Sequence, residues 1–406
     1  MYGEYVMERI YMSTVNDHFK QYRQMVFLSG PRQVGKTFVS KSLEPEQMIY
    51  TNWDNQNDRL NITGGPEIFA GHYDLNSLGS LKKLVVIDEI HKYRKWKQFL
   101  KGFFDSYGED LRILVTGSAK LNIYKKTGDS LMGRYFNYRL HPLSVGEILS
   151  NTLPEKEVRY PSKISDQTFS DLLEYGGFPE PFLKADKRFY NKWNRLRSEQ
   201  FFQDDLREIT NINEISLIET FAEIIKYQSG QILNYSSIAK DINISADTVK
   251  RWLNILENMY YCFRVKPYFK NIPKSIRKQP KVFLWDWSLV SDNGQRAENM
   301  VASHLLKAVH FWTDTGLGSY ELFYLRDKMK REVDFLVTRD NKPWFLVEAK
   351  SSPSKNLSPG LCYFANLLGV KHAFQVDING EFVERDCFSV EKPIKVPAKT
   401  LFSQLI

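Results

Sequence analysis

The residues best suited to chemistry lie near the N-terminus, in the segment GPRQVGKT. Two glycines separated by four residues and followed by Lys and Thr match the phosphate-binding pattern G-x-x-x-x-G-K-[ST]. Backbone N–H groups of such a loop cradle phosphates at the positive end of the following helix. Lys36 would reach the β- and γ-phosphates, and the Thr37 hydroxyl would bind Mg²⁺. The alternative is a chance glycine turn, but a predicted strand precedes the segment and a predicted helix follows it. We predict that ATP is bound by Gly30, Pro31, Arg32, Gln33, Val34, Gly35, Lys36 and Thr37.

Polar residues also end two later apolar runs. Asp88 and Glu89 follow LVVI, and Ser118 ends RILVTGS. Asp88 can hold Mg²⁺ through water, Glu89 can orient or deprotonate the attacking water, and Ser118 would sense the γ-phosphate. Ordinary strand-end acids are the alternative. The adjacency of two carboxylates after four apolar residues favours catalysis of nucleotide hydrolysis.

A second group of ionisable residues lies in the C-terminal third of the chain. Glu348 and Lys350 are two residues apart in the strand-like WFLVEAK, so they project from the same sheet face. Asp334 lies opposite the apolar face of REVDFLV, and Glu298 lies on an apolar helical stripe. A carboxylate on a buried face is costly unless it is paired or binds a metal. We therefore expect these residues to form one site.

The elements that must position the first site are short apolar runs in the first 150 residues. Continuous apolar runs bounded by Gly, Ser and charge indicate buried strands of a parallel sheet with helical connectors, an α/β architecture. The predicted strands are 25–30, 47–54, 83–89, 112–118 and 134–140.

The pattern after Pro154 is helical, and residues 235–261 predict two helices joined by a tight turn. Ser245 is a candidate N-cap of the second of these helices. A helix at 295–310 and strands at 320–325, 332–338 and 343–350 follow, with 266–281 as a candidate linker.

The first set of motifs resembles an AAA+-type ATPase core. GPRQVGKT, VVIDEI and VTGS carry the likeness. The resemblance implies that Arg134, just before the fifth strand, is an arginine finger that reaches a neighbouring subunit's γ-phosphate, and hence a homo-oligomer. It also implies that Pro179, in GGFPE, contacts the nucleotide from a helical lid. A structural surface arginine and a tight turn between helices are the respective alternatives.

The C-terminal spacing resembles the PD-(D/E)XK nuclease superfamily. Asp334 is followed by Glu348-Ala349-Lys350, although Val333 stands where the superfamily name has proline. The resemblance implies that Glu298, Asp334 and Glu348 hold Mg²⁺ or Mn²⁺ while Lys350 steadies or activates the water. Residues 232–270 resemble a winged helix-turn-helix in which Lys250 and Arg251 would contact DNA. A winged helix that mediates protein contacts is the alternative.

Taken together, these motifs resemble a bacterial and archaeal group of AAA+ ATPases with a winged helix and a restriction-endonuclease-like C-terminal domain. The likeness implies an α/β fold with a P-loop AAA+ parallel-sheet core at 1–150, a helical lid at 151–213, a winged helix-turn-helix at 214–270 and a nuclease-like domain at 271–406.

Composition limits the structural class of the protein and its expected location. The chain has 406 residues, 56 Lys plus Arg against 48 Asp plus Glu, and only three cysteines. These numbers exclude a single small core, wholesale disorder and a disulfide framework. No apolar run could span a membrane and no signal peptide is recognisable, so we expect a cytoplasmic protein without membrane contact.

The net charge of +8 is concentrated in one stretch. Residues 258–284 contain seven basic residues and no acidic one, which favours DNA as a partner, although such a run can also be a solvated face. The basic residues are Arg264, Lys266, Lys270, Lys274, Arg277, Lys278 and Lys281.

Two functions remain open at this point. The first is an ATP-driven, DNA-binding protein with a metal-dependent nuclease site. The second is a nucleotide-dependent switch or loader whose nuclease-like domain only binds nucleic acid or a protein partner. A protein-remodelling machine would need a threading loop with an aromatic residue, and no such loop can be recognised.

Overall fold

The computed structural model describes residues 7–43, 48–75, 82–117, 131–209, 215–268, 279–352 and 354–406. They form two compact units. The first comprises Met1–His141 and Asn151–Leu153, and the second comprises Pro142–Ser150 and Pro154–Ile406. Among the described residues, none of the helices is long and apolar enough to cross a membrane. The finer domain boundaries expected from the sequence stay predictions.

The first unit is built on a five-stranded sheet in the order β2-β3-β4-β1-β5, with every pair parallel. Its strands are β1 (Met25–Ser29), β2 (Met48–Asn52), β3 (Leu84–Asp88), β4 (Arg112–Gly117) and β5 (Tyr135–Arg139). All five agree with the apolar runs in the sequence. Every residue of β1 and β3 is buried, as expected for a parallel sheet covered on both faces.

Five helices among the described residues of the first unit accompany this sheet, and the apolar stripe is clearest in α5. The helices are α1 (Ile10–Gln21), α2 (Lys36–Lys41), α3 (Gln56–Thr63), α4 (Pro66–His72) and α5 (Trp96–Tyr107). In α5 the buried residues recur at helical spacing, so its aromatic and aliphatic side chains all enter one core; they are Trp96, Phe99, Leu100, Phe103 and Phe104.

Strand order determines where a ligand can bind. Strands β2, β3 and β4 all lie on one side of β1, and β5 lies on its other side. The strand order therefore reverses at β1. Ligands of open α/β sheets bind beyond the carboxyl ends of the strands at such a point. The loop after β1 and the residues that end β3 therefore lie at the expected place.

The second unit begins with helices. They are α6 (Val145–Leu149), α7 (Asp166–Tyr175), α8 (Pro179–Lys184), α9 (Lys187–Gln200), α10 (Leu206–Ile209), α11 (Ile215–Tyr227), α12 (Tyr235–Asp241) and α13 (Ala246–Asn258). A π-helical turn, Phe201–Asp205, joins α9 to α10. The Ser245 side chain accepts a hydrogen bond from the Thr248 N–H, which confirms the predicted cap of α13.

A mixed seven-stranded sheet forms the rest of the second unit, in the order β12-β11-β10-β9-β8-β6-β7. Its strands are β6 (Cys262–Pro267), β7 (Lys281–Leu284), β8 (Tyr320–Arg326), β9 (Glu332–Arg339), β10 (Lys342–Lys350), β11 (His372–Asp377) and β12 (Pro393–Pro397). Among the described residues, the sheet is accompanied by α14 (Asn293–Asp314), α15 (Pro359–Leu368) and α16 (Ala398–Gln404). The predicted helix and the three predicted strands of this region are confirmed.

His304, in the middle of α14, is buried as a neutral ring. Its Nδ1 lies 2.8 Å from the Met300 carbonyl oxygen, its Nε2 accepts a hydrogen bond from the Val145 N–H at 3.2 Å, and the ring stacks on Phe402. Burial lowers the pKa of His304 to about 3. Protonation would remove the acceptor that Val145 needs.

We expect the second unit to lose stability as the pH falls. The unfolded chain binds a proton at His304 below about pH 6.5, whereas the folded chain does not until about pH 3, so the loss grows across that window. A single such proton contributes about 1.4 kcal/mol of unfolding free energy per pH unit. Urea unfolding at several pH values should show a shallower dependence for His304→Gln than for the wild type. Equal slopes between pH 4 and 6.5 would contradict the assignment.

Candidate functional site

The phosphate-binding segment forms a tight loop between β1 and α2. Gln33 and Gly35 have positive φ angles of 61° and 101°. A Cβ atom on Gly30 would lie 2.4 Å from the Leu140 carbonyl oxygen, so only glycine fits there. Successive residues in such conformations turn their N–H groups into one concavity, which is suited to an anion.

Lys36 lies over this loop with its ammonium facing inward. Its Nζ donates to the carbonyl oxygens of Gly30 at 3.0 Å and Pro31 at 2.7 Å, and only 7% of the residue is exposed. The ammonium thus lies within the loop that would surround the phosphates. A bound phosphate would give it a stronger, charged acceptor than these carbonyls.

Asp88, which ends β3, collects three hydroxyl groups. Its Oδ2 accepts from Thr37 Oγ1 at 3.1 Å and from the Tyr50 hydroxyl at 2.5 Å, and its Oδ1 accepts from Thr116. Burial and the hydrogen bond to Asp88 raise the pKa of Tyr50. Sequence reasoning missed Tyr50 and Thr116, because neither belongs to a motif; their position on the strands that flank β3 is the signal that could have found them.

Glu89 has a backbone conformation that is unusual for its residue type. Its φ of 57° is left-handed, a conformation that costs of order 1–3 kcal/mol in a residue other than glycine. Its Oε2 is buried without a hydrogen-bond partner among the described residues and lies 3.5 Å from His91 Nε2. Burial raises the pKa of Glu89, and the charge of Lys36 opposes that rise. A carboxylate with a raised pKa is well suited to accept a proton from water.

The oxygen atoms of Thr37 and Asp88 fit a magnesium ion bound together with a nucleotide. Mg²⁺ prefers oxygen ligands and takes one or two protein groups, while phosphates and waters supply the rest. The Thr37 hydroxyl and the Asp88 carboxylate lie 3.1 Å apart at the mouth of the loop. This pair is a suitable donor set.

Arg9 supports the loop from behind and was not recognised in the sequence. It precedes α1, is only 2% exposed, and donates to the carbonyl oxygens of Val34 and His141, both at 2.6 Å. No local motif marks it, because its partners are 25 and 132 residues away in the chain.

The remaining residues predicted for the nucleotide site are not brought together with the loop by the described contacts. Ser118 lies outside the described residues. Arg134 makes a two-pronged ion pair with Asp105, at 2.7 Å and 3.0 Å, on the surface of the first unit. Its hydrogen bond lowers the pKa of Asp105. Pro179 is the first residue of α8 in the second unit. The roles of these three residues stay predictions.

In the second unit, three carboxylates surround the ammonium of Lys281. Its Nζ lies 2.7 Å from Glu332 Oε1, 3.0 Å from Glu298 Oε1 and 3.4 Å from Asp334 Oδ1. The Lys281 side chain is 4% exposed. Sequence reasoning assigned Lys281 to the basic strip for DNA, and that assignment is wrong because the ammonium is buried among acids. Glu332 was missed as well.

Backbone register places these groups together. The amide side chain of Asn299, next to Glu298 on α14, donates to the Leu284 carbonyl and accepts from the Leu284 N–H, each at 2.8 Å. This double hydrogen bond fixes α14 against β7, which begins with Lys281. Asp334 on β9 accepts from the Ala349 N–H of β10 at 2.9 Å.

Glu348 and Lys350 form a separate pair beside this cluster. Lys350 Nζ donates to Glu348 Oε1 at 2.9 Å, and Glu348 Oε2 is buried without a hydrogen-bond partner among the described residues. Burial and the Asp334 charge raise the pKa of Glu348 to about 7. The same causes raise the pKa of Glu298 to about 8. Asp334 accepts a hydrogen bond from the residue after Glu348 and shares the Lys281 ammonium with Glu298, so the predicted acids lie in one region.

As arranged, these acids do not fit a divalent metal. Within the described part of the chain, no group of three or more His, Cys, Asp or Glu residues could hold a metal ion. The space between Glu298 and Asp334 contains the Lys281 ammonium, and Glu348 is engaged by Lys350. The metal role of Glu298, Asp334 and Glu348 stays a prediction without support from this geometry.

Helix α13 keeps one polar face exposed. Lys250 and Arg251 are exposed, whereas Val249, Trp252 and Leu253 are buried. Within the basic strip, Arg264 pairs with Glu257 and Lys266 is exposed. Four members of the strip lie outside the described residues, namely Lys270, Lys274, Arg277 and Lys278.

Comparison with known families agrees with the parallel sheet and phosphate loop of the first unit. Residues 22–149 match the family described as AAA domain. Residues 166–295 and 293–392 match two families described as domains of unknown function, DUF8612 and DUF4143. Residues 22–149 are thus similar to an AAA domain, and the matched families leave the activity of the second unit open.

Relatives occur in bacteria and archaea. The chain is 22% identical over 391 residues to an uncharacterized protein of Haemophilus influenzae, covering 90% of this chain and 92% of the relative. It is also 22% identical over 339 residues to an uncharacterized protein of Mycobacterium tuberculosis, covering 81% and 71% respectively. An uncharacterized protein of the archaeon Methanocaldococcus jannaschii is 23% identical over 292 residues, covering 64% and 60%.

Two solved structures are distantly similar. AMPPCP-bound DnaA from Aquifex aeolicus is 14% identical with a TM-score of 0.32, covering 62% of this chain and 88% of its own. The Aeropyrum pernix ORC1 protein in complex with DNA is 10% identical with a TM-score of 0.32, covering 73% and 91%. Likenesses at these TM-scores add nothing to the interpretation of the site.

We expect Arg9→Met to destabilise the first unit by about 2–3 kcal/mol, because hydrogen bonds from a charged group would be removed and two buried carbonyls left unpaired. The matched control is Arg23→Met, which removes an arginine that is 55% exposed and pairs with an exposed glutamate, and should cost under about 1 kcal/mol. Urea unfolding of both variants checks this. Equal destabilisation of the two would contradict a supporting role for Arg9.

Proposed function

We propose that the protein binds and hydrolyses ATP in its first unit with Mg²⁺ as cofactor. The observation that carries the proposal is the meeting of Lys36 and Thr37, at the start of α2, with Asp88 and Glu89 at the end of β3. A lysine for the phosphates, an oxygen pair for the cation and a basic carboxylate for water are the parts that phosphoryl transfer to water requires.

Each side chain has a distinct task in this proposal. Lys36 exchanges the carbonyls of Gly30 and Pro31 for the β- and γ-phosphate oxygens. Thr37 and Asp88 would hold Mg²⁺, which neutralises charge on the phosphates when bound. Glu89 orients the attacking water and accepts its proton. Tyr50 and Thr116 orient Asp88, because both donate hydrogen bonds to its carboxylate.

Further nucleotide contacts extend the proposal. Ser118 senses the γ-phosphate, Pro179 contacts the nucleotide from a lid, and Arg134 acts on the nucleotide of a neighbouring subunit. The last step requires Arg134 to leave Asp105, which an exposed ion pair permits because it contributes little stability.

We further propose that the second unit binds DNA through α12, α13 and the β6–β7 hairpin, as a winged helix does. In support, α13 presents Lys250 and Arg251 outward, and the antiparallel pair of β6 and β7 follows it. Such a helix suits a major groove, and a hairpin beside it suits the backbone.

Two activities of the acidic cluster were left open by the sequence. Metal-dependent DNA cleavage is favoured by the proximity of Glu298, Asp334 and Glu348. A role in binding alone is favoured by the Lys281 ammonium between the first two of these acids. The distances support the second more strongly, and we propose a nucleotide-dependent switch or loader rather than a nuclease.

We expect Lys36→Ala to abolish ATP binding and turnover, because it removes the charge over the phosphates. Glu89→Gln should retain binding but slow turnover by about 10²–10⁴-fold. Asp334→Asn, in the other unit, is the control and should leave ATP hydrolysis unchanged. Phosphate release and nucleotide affinity are the measurements. Normal turnover by Lys36→Ala would refute the site.

We expect neutralisation of Lys270, Lys274, Arg277 and Lys278 to flatten the salt dependence of DNA binding, by about 0.9 in the log–log slope for each phosphate that is no longer neutralised. Neutralising four exposed lysines distant from this stretch is the control. Binding measured across a salt series checks the slope, and the same DNA incubated with Mg²⁺ or Mn²⁺, with or without ATP, should remain intact. An unchanged slope would mean that the basic strip is a solvated segment that does not contact DNA. Cleavage of the DNA by the wild type, abolished in Asp334→Asn, would instead support the nuclease hypothesis.

A further inference from the structure

Lys281 satisfies each of its hydrogen-bond donors with a carboxylate. An ammonium has three N–H bonds. The three oxygens that lie 2.7, 3.0 and 3.4 Å from Nζ come from β9 twice and from α14 once, so three acids from two elements converge on one cation. Such convergence on a centre that is 4% exposed is the arrangement usually produced by a bound cation.

The carboxylates around Lys281 have little capacity left for a second cation. The outer oxygen of Glu332 pairs with Arg326 at 3.2 Å, and Asp334 Oδ2 accepts the Ala349 N–H. A divalent ion bound to the remaining oxygens would lie within a few ångströms of the ammonium. Like charges so close in a poorly hydrated site repel each other strongly.

The ammonium cannot easily withdraw. Lys281 is a strand residue whose partners are Val265 on β6 and Ile232, and the neighbouring Asn299–Leu284 double hydrogen bond fixes α14 against the same strand. The backbone of Lys281 is therefore hydrogen-bonded to a neighbouring segment on each side, which restricts movement of its side chain. Displacing it would expose three acids to one another.

We propose that Lys281 takes the place of a divalent metal among Glu298, Glu332 and Asp334, making the cluster a metal-independent ionic centre that ties the β6–β7 hairpin to α14 and β9. The centre binds no divalent cation while Lys281 is present. Removal of the ammonium leaves three carboxylates that converge on one point, and we expect this change to create a cation site that the native arrangement lacks. This inference concerns the second unit alone and does not depend on ATP hydrolysis.

The test measures Mn²⁺ binding to the full-length protein without nucleotide, by calorimetry and by the paramagnetic signal of the free ion. The variants are Lys281→Met, the double variant with Asp334→Asn, and Lys307→Met as a matched control. Lys307 is also a buried lysine of the second unit, paired with Glu147 and outside the cluster. Lys281→Met should bind Mn²⁺ roughly tenfold or more tightly than the wild type, since opposing charge has been removed. The double variant and the control should show no such gain.

Thermal unfolding provides a second measurement. Lys281→Met should unfold at a lower temperature than the wild type and recover when Mn²⁺ is added, because a ligand that binds only the folded state stabilises it. Wild-type protein should show no recovery or shift. The proposal would be overturned if the wild type bound Mn²⁺ and Asp334→Asn abolished that binding. It would also be overturned if Lys281→Met folded but bound Mn²⁺ no more tightly than the wild type. If Lys281→Met fails to fold, the wild-type measurement still decides.

Discussion

A charge taken out of water needs a partner, and the kind of partner determines what the charge can still do. Asp88 is matched by three neutral hydroxyls, so its negative charge is oriented but not cancelled. Lys281 is matched by three carboxylates, one for each N–H bond of its ammonium. The first arrangement leaves a carboxylate that attracts a cation, and the second already holds a cation that belongs to the chain.

The same constraint explains why Lys36 and Glu89 form a working pair rather than a permanent ion pair. Lys36 is held by carbonyl oxygens, which a phosphate can replace at small cost, and its charge lowers the pKa of Glu89 only in part. A direct ion pair between them would keep Glu89 deprotonated but would immobilise both groups. Separate partners allow the lysine to move to phosphate while the carboxylate keeps its raised pKa.

The first site could be predicted from sequence because its residues are local. The spacing from Gly30 to Thr37 and the acids directly after an apolar strand depend only on neighbours in the chain. Tyr50, Thr116 and Arg9 could not be predicted, since strand order and a buried arginine's distant partners decide their positions. The five strands of the first sheet and the strands around Asp334 were predictable for the same reason, because their apolar patterns are local.

The acidic cluster shows where spacing alone misleads. Asp334, Glu348 and Lys350 satisfy a nuclease-like pattern, but Lys281 is 53 residues before Asp334 and belongs to what looked like a basic run. A lysine in such a run is normally solvated. The Lys281 ammonium reaches the acids because β7 pairs with β6 and because Asn299, next to Glu298, is hydrogen-bonded to Leu284 of β7. A cluster of acids predicts a cation but not which cation, and here the chain supplies the charge from one of its own side chains, so the pattern of a metal site persists while the stabilising ion is a lysine.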